Sequence, residues 1–288
     1  MMHAEVPPRV LRNDVNGVST VTLNQGERFN PLSEEMLDAL IETLTAIALD
    51  PSVRVVVLAG AGKAFCAGHD LKQMQQQGAQ LSGKSAVTSG TEAETATGKE
   101  EAQQAYYQKL FQHCSKLMMI VQQLPQPVIA RVHGLATAAG CQLVAMCDLA
   151  VAAESASFAV SGINVGLFCA TPGVALSRNV GRKQAMEMLL TGDFIDAATA
   201  LQYGLVNRVV ATEQLDAEIA TLCASLLAKP AVALSMGKQV FYKQLEMGMA
   251  AAYQLAGQSM ACNMMDATAQ EGVQAFLEKR APQWPATK

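Results

Sequence analysis

The stretch Val53-Arg-Val-Val-Val-Leu-Ala59, continued by Gly60-Ala-Gly-Lys-Ala-Phe-Cys-Ala-Gly-His-Asp70, decides how this chain is read. A short apolar run rich in valine is a buried strand, and the small-residue segment after it is a loop leading to whatever Leu71 begins. The same order returns downstream. A helical pattern over Tyr106–Leu124 is stopped by Pro125 and Pro127, and the strand Val128–Val132 follows. His133-Gly134 then leads into a second small-residue turn, Ala136–Gly140, and a short helix over Cys141–Cys147. Repetition of strand, small-residue loop and helix predicts stacked ββα-type units.

Working outward, Val18–Leu23 reads as a strand and Asn24–Asn30 as a loop, after which Pro31 or Ser33 opens a helix with Glu34 and Glu35 in its first turn. Leu37, Leu40, Ile41, Leu44, Ile47 and Ala48 fall on one face of that helix, and Asp50-Pro51 ends it. Residues 75–104 are poor in apolar side chains and rich in Gln, Ser, Thr, Gly and Glu, so they are expected as a mobile surface insertion. Leu149–Ala153 is a further strand, and Phe158–Gly173 a glycine-punctuated strand and loop. Helices are expected over Ala175–Val180, Arg182–Leu190 and Asp196–Tyr203, the last capped by Asp196 and ended by Gly204. After a strand over Leu205–Val210 the remainder reads as helical: Glu213–Ala228, Ala231–Tyr253 and a tail around Glu271–Arg280. The expected division is an α/β core over residues 1–210 and a helical C-terminal region over 211–288.

With 288 residues, half of them hydrophobic, the chain has enough apolar mass for a substantial core. A formal charge of -4 supplies no basic field for nucleic acid or an anionic membrane, so an anionic ligand must be met by local cations or backbone N–H groups. Seven scattered cysteines and four distant histidines form no CxxC pair and no tight cluster, so no metal is expected and a reducing compartment is. The opening MMHAEVPPRV carries neither signal core nor transit-peptide pattern, and no apolar stretch reaches the roughly 20 residues of a membrane span. A cytoplasmic location is the expectation.

Chemistry centres on two loops, Cys66-Ala-Gly-His69 and Ala138-Ala-Gly-Cys141, each after a buried strand and before a helix. Such turns leave backbone N–H groups free to meet developing negative charge, though they also serve simply to let elements pack closely. Two N–H groups aimed at one thioester oxygen make an oxyanion hole.

The segments Asn24–Ser33, Gly62–Leu71, Pro127–Asp148, Phe158–Gly173, Thr191-Gly192, Gly204–Val206 and Glu271–Arg280 together resemble the enoyl-CoA hydratase/isomerase (crotonase) superfamily, in order and at matching spacing from about Val18 to Arg280. The resemblance implies a spiral of ββα units with a helical C-terminal trimerisation region. It makes the His69 and Ala139 N–H groups the oxyanion donors. It places the adenine and phosphate end of CoA along the first loop, with Arg28, Lys63, Ala67, Asp70 and Leu71 as candidates, and Lys238 and Phe241 as further ones on the helical tail. It also implies an acyl-CoA substrate, no cofactor beyond the CoA that substrate carries, and a homotrimer or dimer of trimers. Within the family, Asn164–Gly173 and Gly68–Leu71 are similar to one particular branch.

The departures bear on function more than the matches do. Hydratases of this family carry glutamates at the positions of Gln142 and Gly162; an amide does not titrate near neutrality and glycine has no side chain. Ordinary hydration of a double bond is therefore not expected. Asp148, Glu154 and Asp193 read as structural, Cys141 and Cys169 as packing thiols, and the His69 ring as part of the pocket wall. Two functions stay open: an enzyme that stabilises an acyl-CoA enolate with an acid or base elsewhere, and a non-catalytic acyl-CoA-binding or assembly protein.

Overall fold

The computed structural model describes residues 7–83 and 92–285. A hairpin of β1 (Val10–Val15) and β2 (Val18–Leu23) opens the chain, followed by helix α1 (Glu34–Ala48). The next three turns of chain repeat one plan: β3 (Val55–Gly60), β4 (Ala64–Cys66) and helices α2 (Leu71–Gly83) and α3 (Glu92–Gln123); β5 (Val128–Val132), β6 (Leu135–Thr137) and α4 (Ala139–Met146); β7 (Leu149–Ala153), β8 (Ser157–Ala159) and α5 (Ala170–Asn179). Helix α6 (Arg182–Thr191), the two-residue strand β9 (Ile195–Asp196), α7 (Ala197–Tyr203) and β10 (Arg208–Val210) close the core. Helices α8 (Leu215–Leu227), α9 (Ala231–Leu245), α10 (Met249–Met264) and α11 (Ala267–Leu277) complete the chain.

Each ββα turn gives its first strand to one sheet and its second to another. The six-stranded sheet runs β1-β2-β3-β5-β7-β10, parallel apart from the β1–β2 hairpin, and the four-stranded sheet runs β4-β6-β8-β9. The winding is the crotonase-type spiral. Side chains alternate across the larger sheet: Val55, Val57, Ile129, Val151 and Ala153 pack against Leu215, Ile219, Leu222 and Cys223 of α8, while Val56, Leu58, Val128, Ala130 and Ala152 face the main core. With both faces covered, these strands read as unbroken apolar runs.

Helix α1 shows how local sequence fixes an element. Ser33 Oγ accepts the Met36 N–H at 3.2 Å as its N-cap, worth about 1 kcal/mol. Met36, Leu37, Leu40, Leu44 and Ile47 are fully buried, each contributing roughly 1.5–3 kcal/mol. Asp196 caps α7 through the Thr199 N–H, and Gly204 ends it at φ +82.

Several expectations are corrected. Residues 75–104, read as a surface insertion without regular structure, lie in α2 and α3 except for 84–91, which fall outside the described residues. Their Gln, Ala and Glu content is unfavourable to a core but favourable to a helix, and the stripe Leu110, Cys114, Leu117, Met118 and Val121 anchors the far end of α3. The helix expected over Ala231–Tyr253 is two, broken before Gly248, the N-cap of α10. Three-residue strands β4 and β6 stand where only loops were expected.

Candidate functional site

The first loop is held by a neighbour it could not have been paired with from sequence. Asn30, fully buried at φ +53, donates its amide to the carbonyls of Ala64 at 2.8 Å and Ala61 at 2.9 Å and accepts the Gln25 N–H. Next to it, the Ala67 N–H goes to Phe29 O and the Leu32 N–H to Gly68 O at 2.7 Å, an isolated parallel bridge between Leu32 and His69. In that pairing Leu32 spends its N–H on the residue before His69, so the backbone N–H of His69 itself points to the opposite side. Among the described residues it has no acceptor.

The second loop delivers its N–H by a different device. Ala138 adopts φ +51, ψ -120, a conformation that costs a non-glycine residue of order 1–3 kcal/mol, and its N–H is tied to Ala159 O at 2.9 Å. That bend starts α4 at Ala139, whose N–H is the first of the helix and therefore has no partner within it. Helix α4 is short and, apart from Gln142, apolar, and it is buried from Ala139 to Ala145, so its positive end is embedded beside the first loop.

Two glycines bring the loops into contact. A Cβ on Gly68, which sits at φ +88, would lie 2.9 Å from Ala138 Cβ, 3.0 Å from Thr137 O and 3.2 Å from Ala139 N. A Cβ on Gly140 would lie 2.1 Å from Cys66 O. Neither position has room for a side chain, and that absence is what lets the two loops touch.

Both loops open on a cavity of about 210 Å³ lined by Ala67, His69, Leu71, Met74, Phe111 and Ala138 together with Ser161, Gly162, Val165 and residues 167–172. Among the described residues no carboxylate lines it. The His69 ring stands edge-on to Phe111 at 5.6 Å; burial lowers its pKa, offset in part by the Leu32 backbone, and neither ring nitrogen makes a full hydrogen bond. The imidazole is therefore neutral near pH 7. Gly162 leaves no vacant acid site, because a Cβ there would lie 2.5 Å from Leu167 O and 2.7 Å from Cys169 Sγ. Gln142 is buried with its Oε1 unpaired and lies off the cavity wall. Burial pushes the Cys66 and Cys141 thiols up to about 12, which makes them packing groups.

The remaining candidates separate. Ala67 and Leu71 line the cavity. Asp70 is buried, pairs with Arg28 Nη2 at 2.6 Å and accepts the Gln73 N–H at the start of α2, so it is a cap that anchors a half-exposed arginine beside the site. Lys63 is exposed on the same loop. Lys238 does not reach the cavity: its ammonium is buried against Asp148 at 2.6 Å and donates to Val121 O and Gln126 O, while Asp148 also accepts from Tyr242 Oη and the Val128 N–H. That network clamps α9 to the core, and all three ammonium donors are used. Phe241 is exposed in a separate groove with Met236 and Met260. Phe111 and Ser161 belong to the cavity without having been singled out, and Cys169, read from sequence as a packing thiol, lines it too. Glycine punctuation around 162–173 marked the segment but not which side chains turn inward.

The spiral of ββα units defines a crotonase-type fold, and this chain belongs to that family: the family model, enoyl-CoA hydratase/isomerase, matches residues 13–89 and 81–287. The particular relatives are more specific. The zebrafish (Danio rerio) mitochondrial enoyl-CoA hydratase domain-containing protein 3 is 40% identical over 277 residues, 96% of this chain and 88% of the relative, and its mouse (Mus musculus) counterpart is 41% identical over 269 residues, covering 93% and 82%. The crystal structure of the human enoyl-CoA hydratase domain-containing protein 3 is 40% identical, covers 96% of this chain and all of its own, and superposes with a TM-score of 0.84. A Mycobacterium smegmatis structure described as an enoyl-CoA hydratase is 56% identical with a TM-score of 0.85, covering 96% and 99%. The branch to which 68–71 and 164–173 pointed is the one these relatives carry. Their mitochondrial names overturn the cytoplasmic expectation drawn from the first ten residues.

Proposed function

We propose that the cavity receives the acyl end of an acyl-CoA thioester, its carbonyl oxygen accepting from the His69 and Ala139 N–H groups, so that negative charge developing on that oxygen is stabilised as an enolate or oxyanion. The observation that supports this reading is the close approach of the two loops through Gly68 and Gly140 beside an apolar cavity that His69 and Ala138 line. Arg28, paired with Asp70 of the first loop, and the exposed Lys63 would meet the CoA phosphates. No cofactor is required beyond the CoA of the substrate. Ordinary hydration is not part of the activity, since water would have no carboxylate to activate it. The exposed apolar side chains Met249, Tyr253, Met260, Met264, Phe276 and Leu277 of α10 and α11 support assembly as a homotrimer or a dimer of trimers.

The test compares a saturated acyl-CoA with the thioether of the same chain, which keeps every contact except the carbonyl. Two N–H···O bonds at about 0.5–1.5 kcal/mol each give roughly 5- to 150-fold tighter binding of the thioester. Equal affinities would remove the oxyanion hole from the account. Absence of acids from the wall favours the second reading, a binding protein without turnover. A panel of enoyl-, dienoyl- and β-hydroxyacyl-CoA esters separates the two, because turnover of any of them excludes the second.

A further inference from the structure

Cys169 is buried at the edge of the main core and at the same time lines the cavity. It lines the cavity, its sulfur sits 2.7 Å from where a side chain on residue 162 would begin, and it is the N-cap residue of the ten-residue helix α5, whose positive end favours a thiolate. The same cavity is lined by the His69 imidazole, whose pKa burial lowers, and by Ala138, the residue before Ala139. Burial raises the Cys169 pKa, with the Gly162 backbone opposing, so in the empty pocket the group is a thiol.

We propose that Cys169 is a conjugate-addition nucleophile for α,β-unsaturated acyl-CoA esters, so that the protein captures a 2-enoyl-CoA as a covalent thioether where a hydratase would add water. The inference rests on the acyl-CoA reading of the cavity. With the thioester carbonyl held by the His69 and Ala139 N–H groups, the β-carbon becomes electrophilic because charge arriving there can pass to the carbonyl oxygen. The Cys169 sulfur forms a bond to the β-carbon, the Cα=Cβ π pair moves to make the enolate, and the thiol proton passes to the His69 imidazole. As the enolate collapses, that proton goes to the α-carbon. The sum is addition of S–H across one double bond, with no oxidant or reductant consumed and the thioester intact. A saturated acyl-CoA binds in the same place and does not react.

A thiol buried at 7% exposure is shielded from ordinary alkylating agents, whereas Cys262 is exposed, so the two respond differently to solution and pocket chemistry. The full-length protein is incubated with a short 2-enoyl-CoA, quenched in acid and examined by intact-mass and peptide-mapping mass spectrometry, with binding of the saturated acyl-CoA measured in parallel by calorimetry. The expected result is a mass gain of one entire enoyl-CoA on the peptide containing Cys169, suppressed by excess saturated acyl-CoA, abolished in Cys169→Ala and kept in Cys262→Ala. Because peptide mapping on the unmodified sequence locates the adduct by itself, poor folding of Cys169→Ala leaves the test intact. A gain of the acyl group alone, or labelling confined to Cys262, overturns the proposal. So does absence of an adduct when the saturated ester binds. If the saturated ester does not bind at all, the acyl-CoA reading falls and takes this inference with it.

Discussion

Replacing Gly68 with alanine isolates the geometry on which the site depends. The residue sits at φ +88, which costs an L side chain about 1–2 kcal/mol, and its Cβ would come within 2.9 Å of Ala138 Cβ and 3.0 Å of Thr137 O. Overpacking against a backbone carbonyl adds about 1–3 kcal/mol, because the carbonyl belongs to the strand-to-helix bend and cannot swing aside as a side-chain end would. The summed destabilisation is about 2–5 kcal/mol, a fall in melting temperature of roughly 4–20 °C at the usual 2–4 °C per kcal/mol for a domain of this size class. Relief of the clash pushes Ala138 and Ala139 away from the first loop and parts the two N–H donors. The thioester should then lose its advantage over the thioether analogue while the thioether keeps its affinity. Any turnover should fall by the 10²–10³ typical of losing one oxyanion donor. Thermal unfolding and paired calorimetric titrations check both halves. A variant as stable as the parent, with the carbonyl preference intact, would refute the argument that the loops touch through Gly68.

The pair Gly162→Glu with Gln142→Glu should fail to create a hydratase, because the new side chain at 162 meets Leu167 O and Cys169 Sγ and displaces 165–169; a stable double variant that hydrates an enoyl-CoA in a spectrophotometric assay would show that the pocket can accommodate the acids after all. Lys238→Met should cost about 3–5 kcal/mol by leaving Asp148 buried and unpaired, with much of it regained in Lys238→Met plus Asp148→Asn; denaturant unfolding reads both, and a loss under about 1 kcal/mol for the single change would mean the clamp contributes little. Burial lowers the folded-state pKa of His69 and of His133 below the ordinary 6.5, so just below that value the unfolded chain binds more protons and stability rises with pH. Stability should therefore decline as pH falls through about 6.5, and His69→Phe should flatten part of the slope; identical urea midpoints at pH 7.5 and 5.5 would contradict this.

The elements legible in the sequence are those whose signal is local. Ser33, the apolar stripe of α1, the Asp196 cap and the Gly204 stop each act within a few residues, and the buried strands announce themselves because both faces are covered. The two small-residue loops were legible for the same reason, as small residues placed between a buried strand and a helix. What escaped was set by distance along the chain or by shortness. Three residues of β4 or β6 are too few to show alternation. Lys238 finds Asp148 ninety residues away, and no pattern around either residue marks the pairing. The long polar segment leading into α3 was misread because low apolar content was taken as lack of structure, whereas a helix needs only one anchored stretch.

Cys169 shows how the missing acids and the fold are connected. Residue 162 and residue 169 are seven apart, yet the 3-10 turn over Ser161–Val165 and the left-handed Gly166 at φ +79 fold the chain back so that Leu167 N–H bonds Gly162 O at 2.9 Å. That return brings the sulfur and the Leu167 carbonyl onto the spot where a side chain at 162 would start. Glycine at 162 is thus a steric condition of the loop as well as the loss of a carboxylate. A carboxylate regained there would have to expel the sulfur, and a thiol kept there excludes the carboxylate. The two arrangements are alternatives at one position of the fold, and this chain holds the second.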